Sequence, residues 1–308
     1  LELSHMLSKL PQKTGLVDFI SKVPHKRLAS FNKKRESIIQ GDIMMRANGI
    51  VAVGDISNTT DSFFIKGRSH INYHTFVEIF EINARKADYA FNKGIDILKQ
   101  CPKPNSLTPH ATYSVSPDLY SKISDHNNGE VICIHNQETK TEDKLFKKGK
   151  GALYQYLKKI GPPNISGKSA LQTTLLQLSK QVPIILIHNT FTKKEDIDWV
   201  TENNYSVYYC TCPKANLYIE GALPKYSVFD VDKLCVGTDS LASNNSLSIL
   251  EEILIIKENS SFDVNTLLKI ASKNGAEALG FTSLGTFEKG KTPGINLIQD
   301  FKKVIIID

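Results

Sequence analysis

Three of the eight histidines stand where short strand-like runs end. The clearest is VICIHNQET, residues 131–139. Val131–Ile134 reads as a strand buried on both faces, His135 sits at its C-terminal end, and Glu138 follows where the chain leaves the strand. PIILIHNT places His188 in the same way, TPHATYS places His110, and KLCVGTDS sets Asp239 just past a fourth run. Imidazole and carboxylate ligands suit a borderline divalent ion, and an open coordination position lets such an ion generate hydroxide at neutral pH. A carboxyl group beside it, as at Glu138, suits proton transfer. One strand-end histidine is more often structural than functional. Three of them with an aspartate, all at the same kind of position, point to a single rim. A plainer alternative makes Glu138 an exposed carboxylate that caps the next segment. As a metal site the set looks short, because zinc usually takes three protein ligands plus water. His135 and Asp239 give two, or three with His188.

Such positions need a frame of parallel strands. Runs at Ile50–Val53, Phe76–Phe80, Thr112–Val115, Val131–Ile134, Ile184–Ile187, Val207–Cys210 and Leu234–Gly237 alternate with helical patterns. Helices are expected over about 84–99, from Pro117, through Leu153–Leu157, over 169–180, from Thr192, and over 247–257 and 264–279. Strand then helix, seven times, implies parallel strands with right-handed crossovers. A count close to eight favours a (β/α)8 TIM-type barrel over an open sheet, with the first strand lying before Leu1. In such a barrel chemistry sits at the C-terminal strand ends. After Gly285 the pattern changes to turn signals and two β-type runs, Ile295–Ile298 and Val304–Ile307. The expected division is a hydrolase barrel over 1–284 and a remnant of a small β-sandwich over 285–308.

The series PHATYS, HNQE, HN, CPKAN and GTDSLASNNSLS resembles the amidohydrolase superfamily, in its cytosine, guanine and adenosine-like deaminase and chlorohydrolase branch. The resemblance covers nearly the whole chain, and its most specific parts are GTDSLASN and CPKAN. It implies a His-x-His pair immediately before a stretch similar to LELSH, so that pair is expected upstream of Leu1. It also implies a β-sandwich built from both termini. Carried over by residue, it makes His135 a metal ligand and Asp239 both a ligand and the base that takes the proton of the attacking water. Glu138 becomes the acid that protonates a ring nitrogen. His188 orients the nucleophile or the developing oxyanion, or joins the metal, and His110 contacts the substrate. No strand-end lysine matches the carbamylated lysine of binuclear members, which implies one divalent ion, zinc or iron. Without the upstream pair, binding is expected to be weak.

The implied activity is deamination of a nucleobase-like or other heteroaromatic amine by attack of a metal-bound hydroxide. Two alternatives stand beside it: a chlorohydrolase or N-alkylamine hydrolase on a heteroaromatic ring, and a catalytically silent barrel that acts as a binding protein. The partner is then a small heteroaromatic molecule, with a homodimer left open. A net charge of +6 is modest. Lys144, Lys147, Lys148, Lys150, Lys158 and Lys159 read as a solvated face without aromatic interleaving, which argues against nucleic acid. No apolar run approaches the roughly 20 residues of a membrane helix, and no secretory pattern precedes the first strand. Five cysteines, an odd number, read as reduced thiols in a cytoplasmic protein.

Other features are set aside. ISGKS at 165–169 has the wrong glycine spacing for a phosphate loop. Cys210-Thr-Cys212 has no second pair with which to hold zinc. Ser243, Asn244 and Asn245 read as loop-stabilising or substrate-contacting groups. His25, His70, His74 and His126 read as surface or locally bonded. His5-Met6 has two interpretations: a tag remnant, or part of the stretch that follows the His-x-His pair.

Overall fold

The computed structural model describes residues 1–307; Asp308, the last residue of the expected C-terminal element, lies outside the described residues. Seven parallel strands form the frame. β1 (Ala52–Ser57), β2 (Asn72–Ile79) and β3 (Asn105–Pro109) pair in that order. β4 (Ile132–Asn136), β5 (Ile184–His188), β6 (Val207–Thr211) and β7 (Leu234–Val236) form a second run. The two runs meet at β3 and β4, where side chains replace part of the backbone ladder. Ser106 Oγ donates to Val131 O at 2.6 Å, and Thr108 Oγ1 accepts from Cys133 N at 2.9 Å. Farther up, His135 N donates to His110 O at 2.9 Å, and Ala111 bridges His135.

The result is an α/β fold, a partial barrel of parallel strands wrapped by helices. Among the described residues, no ladder joins β1 to β7. The largest apolar cluster lies between strands and helices, with Val77, Leu107, Ile134, Leu186 and Leu234 facing Leu119, Leu171 and Ile253. A smaller cluster of Phe76, Cys133, Ile185 and Cys235 comes from the alternate strand positions.

The third strand corrects the expectation. Thr112–Val115 is not a strand; its backbone turns, with Ser114 N donating to Ala111 O. The strand is NSLTP, which looks polar because Ser106 and Thr108 spend their hydroxyls on β4. Before β1, the chain forms helices Leu16–Lys26 and Phe31–Ala47. The expected helix over 264–279 breaks at Ser272 into Val264–Ala271 and Lys273–Ala278. His5 and Met6 are buried, with His5 Nε2 2.9 Å from Arg27 O. They pack inside the fold rather than extending from it.

Near the C-terminus, β8 (Ile295–Gln299) and β9 (Lys303–Ile307) form an antiparallel hairpin. It packs Ile298, Phe301 and Val304 against the main cluster. Ser169 of ISGKS caps a six-residue helix, Ala170–Leu175. No helix of the described residues is long and apolar enough to cross a membrane.

Candidate active site

The C-terminal strand ends carry a ring of titratable groups. His110 follows β3, His135 is the last residue but one of β4, His188 is the last residue of β5, and Asp239 comes three residues after β7. The rings of His110 and His135 are 4.8 Å apart, and those of His135 and His188 stack at 5.4 Å. Glu138 is buried, with Oε1 3.6 Å from His188 Nε2. Asp239 is close enough for its charge to act on both Glu138 and His188.

The backbone at these tips is strained in a consistent way. Gln137, His188, Asn189 and Asp239 all have positive φ, at 45°, 73°, 53° and 55°. Such conformations cost a non-glycine residue about 1–3 kcal/mol each and persist where the surroundings over-determine them. Here the surroundings are polar locks. Gln137 Nε2 donates to Asp196 Oδ2 at 2.9 Å, and Thr192 Oγ1 donates to Gln137 Oε1 at 2.6 Å. Asn136 Nδ2 donates to Asn189 Oδ1 at 3.1 Å. Asp239 Oδ2 accepts a bond from Ser243 Oγ, and Asn244 Nδ2 donates to Thr238 O at 2.7 Å. Ser243 and Asn244 are buried, so both hold the loop.

Glu138 is not the exposed cap of the plainer alternative. Capping falls to Thr139 and Glu142, at the start of helix Lys140–Lys148. Glu142 accepts the N–H groups of Gln137, Glu138 and Thr139, which pins the turn that buries Glu138. Burial pushes the Glu138 carboxyl up to about 8; the nearby His135 opposes this, and Asp239 and Glu220 add to it. Burial likewise holds His110 down to about 4 and lowers His188, so both stay neutral at pH 7.

Oriented imidazoles fit a divalent cation. His135 Nδ1 lies 2.7 Å from His110 O, and His188 Nδ1 lies 2.9 Å from Asn216 Oδ1. Each Nδ1–H is thereby committed to an acceptor, and each Nε2 is left with its lone pair for a metal. The three donors that the structure brings together differ from the expected set: one atom each from Glu78, His110 and His135 lies within 4.8 Å of the others, whereas His135, His188 and Asp239 do not form such a group among the described residues. Glu78 Oε1 is buried without a hydrogen-bond partner among the described residues, 3.6 Å from His135 Nδ1. Its Oε2 accepts from Asn58 Nδ2 at 2.8 Å.

Sequence reasoning missed Glu78, Glu142 and Asn216. Signals were present for each: a carboxylate in the otherwise apolar run TFVEIFE, the TxxE pattern that ends on Glu142, and the CPKAN segment that ends on Asn216. His74 also differs from expectation: it is buried inside β2, with Nε2 3.0 Å from Ser106 Oγ.

The model of the amidohydrolase family matches residues 75–306, through the strand ends that carry this ring. The chain belongs to the amidohydrolase family. Members of this family typically bind a divalent metal. A 5-methylthioadenosine/S-adenosylhomocysteine deaminase of Halothermothrix orenii is 30% identical over 205 residues, 62% of this chain and 43% of that protein. An aminodeoxyfutalosine deaminase of Nitratiruptor sp. is 25% identical over 270 residues, 82% of this chain and 64% of that protein. The chain thus spans less than two thirds of either relative. In fold, it matches Helicobacter pylori aminofutalosine deaminase in complex with methylthio-coformycin. The TM-score is 0.79 at 20% identity, covering 95% of this chain and 74% of that one. The family expected from PHATYS, HNQE and GTDSLASN therefore holds, and so does the barrel class.

Proposed function

We propose that this chain carries the site of a metal-dependent deaminase acting on a nucleobase-like or other heteroaromatic amine. The observation that carries the proposal is Glu138: a buried carboxyl group beside two oriented imidazoles at the barrel's strand ends. Deaminases of adenosine-like compounds among the relatives support the substrate class.

His135, His188 and Asp239 are the residues assigned to hold the ion. Glu78 is assigned a supporting part, because its Oε1 faces His135 Nδ1, the nitrogen that already bonds His110 O. A bound divalent cation supplies Lewis acidity, which makes water a usable nucleophile near neutral pH. Asp239 takes the proton of the attacking water, and Ser243 holds its carboxylate in place. Glu138 delivers a proton to the ring nitrogen beside the reacting carbon. His188, neutral and fixed by Asn216, turns Nε2 toward the ion. His110, fixed by Ser114 at 2.6 Å, contacts the ring. Water and the amine then give the hydroxylated ring and ammonia, with no change of oxidation state.

The test is ammonia release from purines, pyrimidines and amino- or chloro-triazines by metal-reconstituted protein, with chloride measured in parallel. Ammonia from at least one amine, lost on chelation, is the expected result. Chloride without ammonia, or no turnover from folded, metal-loaded protein, overturns the proposal.

A further inference from the structure

The wall between β6 and β7 carries thiols that the chemistry above does not use. Cys210 and Cys235 are register partners across these strands. Both belong to the cluster that includes Cys133, Phe76 and Ile185. Cys212 lies two residues after Cys210, on the same side of the strand, and is buried. The sulfurs converge on the space left by a glycine. A Cβ at Gly237 would stand 3.1 Å from Cys210 Sγ and 3.5 Å from Cys212 Sγ. Any larger residue at position 237 would crowd both thiols. All five cysteines are free.

Two sulfurs that border one space do not make a zinc site, which takes four ligands in a tetrahedron. Closely spaced thiolates in apolar surroundings are instead the donor set of a soft cation of low coordination number. Ile187 and Tyr208 contribute to those surroundings. Cys210 is the half-buried member of the group and gives an ion its way in.

We propose that Cys210 and Cys212, with Cys235 beside them, form a binding site for a soft thiophilic cation such as Cu(I), within the barrel wall. Two S–metal bonds form, two thiol protons leave to solvent, and no electron is transferred. The neighbouring Cys212 favours the Cys210 thiolate, but Cys235 and burial outweigh it and leave the thiol high. The neighbouring Cys210, and burial after it, hold the Cys212 thiol high as well. The pair therefore stays protonated until a cation arrives, and affinity rises with pH.

Ag(I), a redox-inert stand-in for Cu(I), provides the test. Reduced, divalent-metal-free protein is titrated in chloride-free buffer while sulfur-to-silver charge-transfer absorption is followed, and silver is counted after desalting through a thioether competitor. One ion per chain should be retained. Cys210→Ser and Cys212→Ser should each weaken retention about tenfold or more, as loss of a ligand does, while Cys101→Ser and His135→Asn should not. Iodoacetamide labelling of the unsubstituted protein gives a readout independent of variant folding, with silver protecting Cys210 and Cys212. No retained silver, equal retention by the Cys210/Cys212 double variant, or protection of a different pair overturns the site.

Discussion

Glu138 reaches the middle of a ring of imidazoles because the chain bends sharply as it leaves β4. Gln137 takes a left-handed conformation there, and Glu142 gathers three successive N–H groups. Glu138→Gln keeps the shape and removes the proton. Turnover should fall by about 10²–10⁴-fold, the usual contribution of a general acid or base, while elemental analysis finds the metal content unchanged. Near-normal turnover would take Glu138 out of the mechanism. Asn216 acts one step removed, through His188 Nδ1. Asn216→Leu leaves that nitrogen without its acceptor and should cost about 10–100-fold in metal affinity or kcat. Asn216→Asp, which still accepts, should restore most of it with KM unmoved; failure of this rescue would make Asn216 a packing residue. The strand-end histidines, Glu138 and Asp239 were legible because each ends or closely follows a strand-like run. Asn216 and Glu78 were not. Their partners lie on other strands, and spacing along one chain does not say which strands face each other.

At the scale of elements, the helix that follows the site begins on a capping box. Thr139 caps Lys140–Lys148, Glu142 closes the box, and Gly149 ends the helix at φ 58°. Thr139→Ala should cost about 1 kcal/mol of stability, read as a lower urea midpoint at unchanged m-value. No change would mean that tertiary contacts alone hold the helix. The sequence TxxE carries this cap openly. β4 to β7 were equally open, as apolar runs buried on both faces. β3 was hidden because Ser106 and Thr108 bond to β4 and make a buried strand look like a loop. TYSV was misleading for the opposite reason: it has strand-forming residues, but its backbone closes a turn. The break at Ser272 was likewise unreadable, since Asn274 turns inward to donate to Val231 O and Leu234 O. That contact is made across the fold.

For the whole molecule, enclosing this many histidines sets the response to acid. His74 lies in β2, against Phe76 and 3.0 Å from Ser106 Oγ, and its exposure is only 5%. Burial holds its imidazole down to about 4; Glu130 pulls the value up and Lys66 pulls it further down. In the unfolded chain the ordinary value is near 6.5. Between those limits the unfolded state binds a proton that the folded state refuses, so stability rises with pH across the window. The contribution is fully present above pH 6.5 and is lost as pH falls toward 4. One group shifted this far is worth about 3 kcal/mol. His110 and His188, lowered by the same cause, act in the same direction. The buried carboxyls Glu138 and Glu142, both raised to about 8, act in the opposite direction over part of this window, so the His74 contribution is read from the difference between variant and parent and not from the parent curve alone. His74→Gln keeps a polar atom for Ser106 and does not titrate. Urea unfolding at a series of pH values should show a shallower slope for the variant between pH 6.5 and 4, by close to one proton. At pH 7.5 the variant should be the less stable of the two, because it loses the packing against Phe76, and the two curves should approach each other as the pH drops. Parallel curves across that window would mean that His74 reaches solvent or is protonated in the fold, and that its burial does not govern the acid limb.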